Sequence, residues 1–147
     1  MTAGMDAPPS FSSGSNAVSD AATPLPSPPE TAETARFWQA AREGMLLYGF
    51  CRACDKRHFY PRAICPFCFS TEIDWPPSCG SGKIYSFSIV RRASPPYVTA
   101  WVALAEGVTV FTTVVDCDPD VLVIGMPVEL VFRSSTDGHA IPVFRCA

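Results

Sequence analysis

Histidine is scarce in this sequence: the 147 residues contain two, His58 and His139. A nucleophilic cysteine needs a base within hydrogen-bond reach, and neither histidine lies in a recognisable catalytic signature. A thiol enzyme is therefore not expected, and no catalytic residue is assigned. Although 48% of the residues are apolar, no apolar run approaches the roughly 18 residues needed to cross a bilayer. The opening MTAGMDAPPSFSSGS lacks both the basic start and the apolar stretch of a signal peptide. These absences predict a cytoplasmic protein without a membrane partner. A basic excess is missing too. Asp6, Asp20 and Glu30 account for the net charge of −3, which leaves eleven basic and eleven acidic residues in 31–147. From Lys83 onward five basic residues face six acidic ones. Nucleic-acid binders normally carry a basic stripe, so no nucleic-acid partner is expected; binding of single strands is the alternative reading. No internal repeat is apparent.

Cysteine is what the sequence does have, seven in all. Four of them read Cys51-Arg-Ala-Cys54, ten residues, then Cys65-Pro-Phe-Cys68. Two residues between thiols let one tight turn aim both sulfurs at a common point, and two such knuckles supply a tetrahedron suited to Zn²⁺. Iron uses the same ligand set, but nothing suggests a redox partner. Four protein ligands leave no open position, so the metal is structural, contributing on the order of 10 kcal/mol to the folding of a small ribbon. An odd cysteine count with a close-spaced quartet points to metal ligation in a reducing compartment rather than a disulfide framework. Cys79, Cys117 and Cys146 read as buried or incidental thiols. Cys117 lies among Asp116, Asp118 and Asp120, which would raise a thiol pKa. Arg52, Lys56, Arg57 and Arg62 surround the quartet. Basic groups are expected beside thiolates, and they would also form a rim for an anionic ligand such as a CoA phosphate. His58 reads as a surface or hydrogen-bonding histidine.

Along the chain, residues 1–30 hold six prolines and six serines and read as a disordered tail. Residues 31–50 form a helical segment leading into the ribbon. Thr31 is its cap, and Trp38, Ala41 and Met45 share one face with Phe37 beside it. Gly44 weakens its end, and Leu46–Phe50 reads as a short strand. Residues 51–79 are the ribbon. Residues 80–147 carry five strand signals, KIYSFSIV, YVTAWVAL, VTVFTTVV, MPVELVF and IPVF, which suggest a small closed barrel. In the first of these, Phe87 joins the Ile84 and Ile89 face only through a local shift. Gly80–Lys83 and Asp118-Pro119 read as turns.

The pieces occur in a recognisable order: FWQAAREGMLLYGF, CRAC and CPFC, then GSGKIYSFSIVRR, SPPYVTAWVALAEGVTVFTTVVD, IGMPVELVF and PVFR. Over about residues 34–146 this resembles the family of OB-fold proteins with a rubredoxin-like zinc ribbon that accompany acyl-CoA enzymes. The resemblance implies a mostly β fold, with an N-terminal helix and rubredoxin-like zinc ribbon followed by a five-stranded OB-fold barrel. It implies zinc on Cys51, Cys54, Cys65 and Cys68. It also implies a non-catalytic accessory or scaffold subunit of a thiolase-like enzyme (an acetyltransferase, a thiolase or a lipid-transfer-type aldolase) in acyl-CoA or lipid and steroid metabolism, with acyl-CoA contact as a further expectation. Phe37, Trp38, Phe59, Tyr60, Phe67 and Phe69 are candidate contact anchors, although packing on the body is the favoured reading for Phe37 and Trp38.

Overall fold

The computed structural model describes residues 25–147; most of the segment expected to be disordered lies outside the described residues. Its last six residues, 25–30, depart from that expectation and lie against the loop before the last strand. The Thr136 N–H donates to the Leu25 carbonyl at 3.2 Å, Ser27 Oγ is 2.9 Å from Ser135 Oγ, and Glu30 meets Arg42 at 2.9 Å. These are polar contacts across the fold, which local composition does not reveal.

Helix α1 spans Ala35–Arg42, shorter than the sequence suggests at both ends. Thr31 does not cap it. The Thr31 N–H donates to Thr34 Oγ1 at 2.9 Å, closing a turn that delivers the chain to the helix, and Thr34 is the N-cap. At the other end Gly44 has φ +82°. Its N–H donates to the Ala41 carbonyl, and the Met45 N–H to the Ala40 carbonyl, the paired bonds of a Schellman stop. Met45 thereby leaves the helical period and is partly exposed, while Phe37, Trp38, Ala40 and Ala41 are buried.

Three short antiparallel strands follow, β1 (Gly49–Cys51), β2 (Arg57–His58) and β3 (Ile73–Asp74), in the order β2-β1-β3. Gly49 is pinned by its neighbour, since a Cβ there would lie 2.2 Å from His58 Nε2. Residues 76–79 stitch this ribbon to the rest. Leu47 bridges Pro77, the Ser78 N–H donates to the Leu46 carbonyl at 2.7 Å, and the Cys79 N–H donates to Glu106 at 2.6 Å.

The remaining strands are β4 (Ser81–Val90), β5 (Tyr97–Leu104), β6 (Thr109–Val115), β7 (Pro127–Ser134) and β8 (Ala140–Cys146). They close a barrel in the order β4-β5-β6-β8-β7, with β6 and β8 parallel and the other pairs antiparallel. This is the five-stranded OB arrangement. Val98, Ala100, Val102 and Leu104 on β5 alternate inward with Val110, Thr112 and Val114 on β6, the two-residue period of a half-buried strand. The local shift in β4 is a register change between Ile84 and Ser86. The strand begins at Ser81, so the expected turn over Gly80–Lys83 is confined to Gly80, whose φ is +79°. Asp118-Pro119 opens one turn of 3-10 helix. On β8 both Val143 and Phe144 are buried, because the barrel core lies on one side and α1 packs against this strand. Replacing Phe144 with Ala is expected to cost about 3–5 kcal/mol in urea unfolding, whereas Phe111→Ala on the outer face changes it by only about 0.5 kcal/mol.

Candidate metal centre and the cleft beside it

The two knuckles repeat one backbone design. The Cys51 N–H donates to the Lys56 carbonyl and the Cys65 N–H to the Ser70 carbonyl, both at 2.9 Å. The residue after each second cysteine is left-handed, Asp55 at φ 56° and Phe69 at φ 63°. Chain reversal at that residue turns each pair of thiols inward. Cys51 Sγ lies 3.6 Å from Cys68 Sγ, Cys54 Sγ lies 3.7 Å from Cys65 Sγ, and all four sulfurs fall within 4.8 Å of one another. A tetrahedron of Zn–S bonds of ~2.3 Å has edges of about 3.8 Å, so the four cysteines are positioned for a metal.

Their acidities diverge. Cys65 is drawn down to about 7: burial opposes its ionisation but is outweighed by the Cys68 and Phe67 N–H groups and by the thiols of Cys54 and Cys51. Cys54 goes the other way, up to about 12. The Lys56 N–H favours its thiolate, yet burial and the neighbouring thiols prevail. Crowded thiols cannot all ionise until a cation takes the place of their protons.

A cleft of about 340 Å³ lies beside the centre, lined by Arg57, His58, Arg62, Phe67 and the β5–β6 turn at Gly107–Thr109. The expected basic rim is only partly available to it. Arg52 pairs with Asp74 at 3.5 Å, Lys56 sits 4.9 Å over the Phe67 ring, and Arg57 sits 5.5 Å over Phe50. His58 is not at the surface and is not hydrogen-bonded: it is buried, and neither ring nitrogen has a partner among the described residues. Burial first, and then the Arg62 charge, hold its pKa below the ordinary 6.5. Its partner on β1 is a glycine, and that missing side chain makes room for the ring.

The expected anchors separate into two sets. Phe37 and Trp38 are 1% and 8% exposed, so they pack on the body and neither can serve as a contact anchor. Phe37 sits 4.6 Å from the Tyr60 ring and 6.1 Å from Phe59, and this aromatic knot fixes the helix to the ribbon. Phe67 and Phe69 do project. Sequence reasoning missed Tyr85, Trp101 and Phe111, which are exposed on the barrel. They occupy outward positions of three successive strands, and the inward alternation of their neighbours was the available signal. Two of the cysteines read as incidental are also corrected: Cys117 and Cys146 form a disulfide, with Cα atoms 5.8 Å apart across a separation of 29 residues. The parallel pairing of Val115 with Arg145 brings them together, a non-local juxtaposition that spacing cannot show. Cys79 is free and exposed.

Residues 38–74 match the family described as ChsH2, rubredoxin-like zinc ribbon domain, and residues 75–133 match ChsH2, C-terminal OB-fold domain. A DUF35 domain-containing scaffold protein of Methanocaldococcus jannaschii is 39% identical over 106 residues, covering 67% of this chain and 75% of that protein. This chain belongs to the DUF35 family. A DUF35 scaffold protein of Methanothermobacter thermautotrophicus is 38% identical, over 69% of this chain and 82% of its own length. A probable enoyl-CoA hydratase alpha subunit of Thermomonospora curvata is 35% identical over 83% of this chain, which spans 40% of that longer protein. Among solved structures, a chain of the Ltp2-ChsH2(DUF35) aldolase superposes with a TM-score of 0.73 at 32% identity, covering 82% of this chain and 98% of that one. A DUF35 protein of Sulfolobus solfataricus shares the fold, with a TM-score of 0.57 at 12% identity over 76% of this chain and 83% of that one. No helix among the described residues of this DUF35 chain is long and apolar enough to cross a membrane.

The buried His58 gives this DUF35 ribbon a pH signature. Its depressed pKa means that the folded chain binds fewer protons than the unfolded one, so stability falls as pH drops below 6.5 and levels off below the folded pKa. Urea midpoints measured through that window should fall more steeply for the wild type than for His58→Gln.

Proposed function

We propose that this chain is a non-catalytic accessory subunit that binds a thiolase-like enzyme in acyl-CoA or lipid metabolism, the catalytic residues being the partner's. The observation that carries the reading is the likeness, over 98% of its length, to a chain of the Ltp2-ChsH2(DUF35) aldolase. Two relatives named scaffold proteins support it. Cys51, Cys54, Cys65 and Cys68 hold structural zinc in this proposal, on the strength of sulfur spacings that fit a four-thiolate site. The zinc ribbon takes residues 51–79 and the barrel 80–147. A reducing, cytoplasmic setting would keep the quartet thiols available to the metal and would favour reduction of the Cys117–Cys146 bond. Contact with acyl-CoA, where it occurs, fits the cleft beside Arg57 and Arg62, whose guanidiniums suit phosphate.

Elemental analysis should give one zinc per chain. Because more than one thiol proton must leave, the apparent zinc affinity should fall by more than about tenfold for each pH unit below 7 in chelator competition. Cys51→Ser should abolish stoichiometric zinc. For the partner, co-expression with an Ltp2-type aldolase should yield one co-eluting complex. Separate elution, with the enzyme's activity unchanged by this chain, would sink the reading.

A further inference from the structure

The outer face of β4, β5 and β6 carries three exposed aromatic side chains. Trp101 and Phe111 are register partners on β5 and β6, with ring centroids 5.1 Å apart. Tyr85 stands beside them in the irregularity between Ile84 and Ser86, where Ser86 faces Trp101. Their exposures are 46%, 58% and 67% for Trp101, Phe111 and Tyr85. The patch continues past β4. Ile84 accepts from the Gly125 N–H at 2.7 Å and donates to the Met126 carbonyl at 2.9 Å, which brings the segment carrying the exposed Val123 and Ile124 alongside β4. Scattered exposed apolar residues are ordinary, but a contiguous aromatic patch marks an interaction site.

Charge and area together narrow the occupant. Across residues 81–90, 97–104 and 109–115, Lys83 is the single charged residue, and it makes no ion pair among the described residues. OB barrels bind oligonucleotides on a comparable face, but a strand of phosphates needs several cations along its path, and one lysine does not supply them. A second copy of this chain is disfavoured as well. An isologous contact sets the same face against itself, which would bring two Lys83 ammoniums into a surface whose strands carry no carboxylate. Depletion of charge with enrichment of Tyr, Trp and Phe is the composition of a protein–protein interface core. An aromatic side chain buries ~150–250 Å², so at these exposures the trio offers on the order of 300 Å². A stable complex buries about 800 Å² on each side, which makes the patch the core of such an interface, with Thr99, Thr109 and Thr113 at its rim.

We propose that this face, centred on Tyr85, Trp101 and Phe111, is where the chain docks its thiolase-like partner, and that the partner presents an apolar surface with a carboxylate opposite Lys83. The inference rests on the accessory-subunit reading above and adds the surface and the chemistry of its counterpart.

The test titrates a purified Ltp2-type aldolase against the full-length, zinc-loaded chain by calorimetry. Wild type is compared with the Trp101→Thr/Phe111→Thr double variant, with Lys83→Glu, and with Glu43→Gln on the helix end as a control. Threonine keeps the strand propensity, and far-ultraviolet circular dichroism and zinc content establish that each variant is folded. The double variant should bind about 100-fold more weakly or worse, Lys83→Glu about tenfold more weakly, and Glu43→Gln like wild type. Unchanged binding by the double variant overturns the assignment of this face while the accessory role stands. Failure of the wild type to bind overturns the accessory role, and this inference with it. Sedimentation showing a wild-type dimer that the double variant lacks assigns the face to a second copy, and salt-sensitive binding of single-stranded DNA lost in the double variant assigns it to nucleic acid; either result overturns the proposal. Should the double variant fail the fold check, Tyr85→Thr is read by the same outcomes.

Discussion

The strands of the ribbon are three, two and two residues long, too short to hold one another by ladder hydrogen bonds. Its shape depends instead on four sulfurs meeting within 4.8 Å, and much else depends on that convergence. The knuckles set the path of the intervening chain, which carries Phe59 and Tyr60 to the Phe37 ring. Phe37 in turn seats the helix, and the helix covers β8. A chain of packed aromatic rings therefore runs from the thiol cluster to the barrel wall. Crowding sets the thiols against one another: one is drawn down to about 7 and another pushed up to about 12.

The barrel answers to a different constraint. Closure leaves no free sheet edge, and inward side chains fill its interior. Closure also frees the outward positions of β4, β5 and β6 to be chosen for something other than folding. Helix α1 covers the barrel at β8, and Tyr85, Trp101 and Phe111 are exposed on β4, β5 and β6. Ser78 and the Cys79 N–H, both held by Glu106, join the two constructions at the β5–β6 turn, which also borders the cleft. In the accessory-subunit reading, the ribbon orients the chain and the barrel face meets the partner.

What could be read in advance was what local chemistry encodes. The five strands were visible because each is rich in β-branched or aromatic residues and bounded by turn signals, and the disturbed period at Phe87 announced the irregularity of β4. The cysteine spacing showed that two turns would point their thiols inward, since a knuckle is a local structure. The helix was visible but too long at both ends. Thr31 is a plausible cap by residue type, yet its hydroxyl and amide are engaged with Thr34, and Gly44 stops the helix before Met45 can join its apolar face.

What could not be read depends on residues distant in sequence. The two knuckles and the strand periods follow from side-chain type and spacing, so the sequence by itself determined a four-thiol cluster and a small barrel. Whether Phe37 and Trp38 face a partner or the interior was decided only when the ribbon folded back over α1. The burial of His58 needed Gly49 on the adjacent strand, and the Cys117–Cys146 bond needed the parallel pairing of β6 with β8. The alignment of Trp101 with Phe111 is a matter of register between neighbouring strands. Periodicity assigns each residue to a face of its own strand, but only tertiary structure places two such faces side by side.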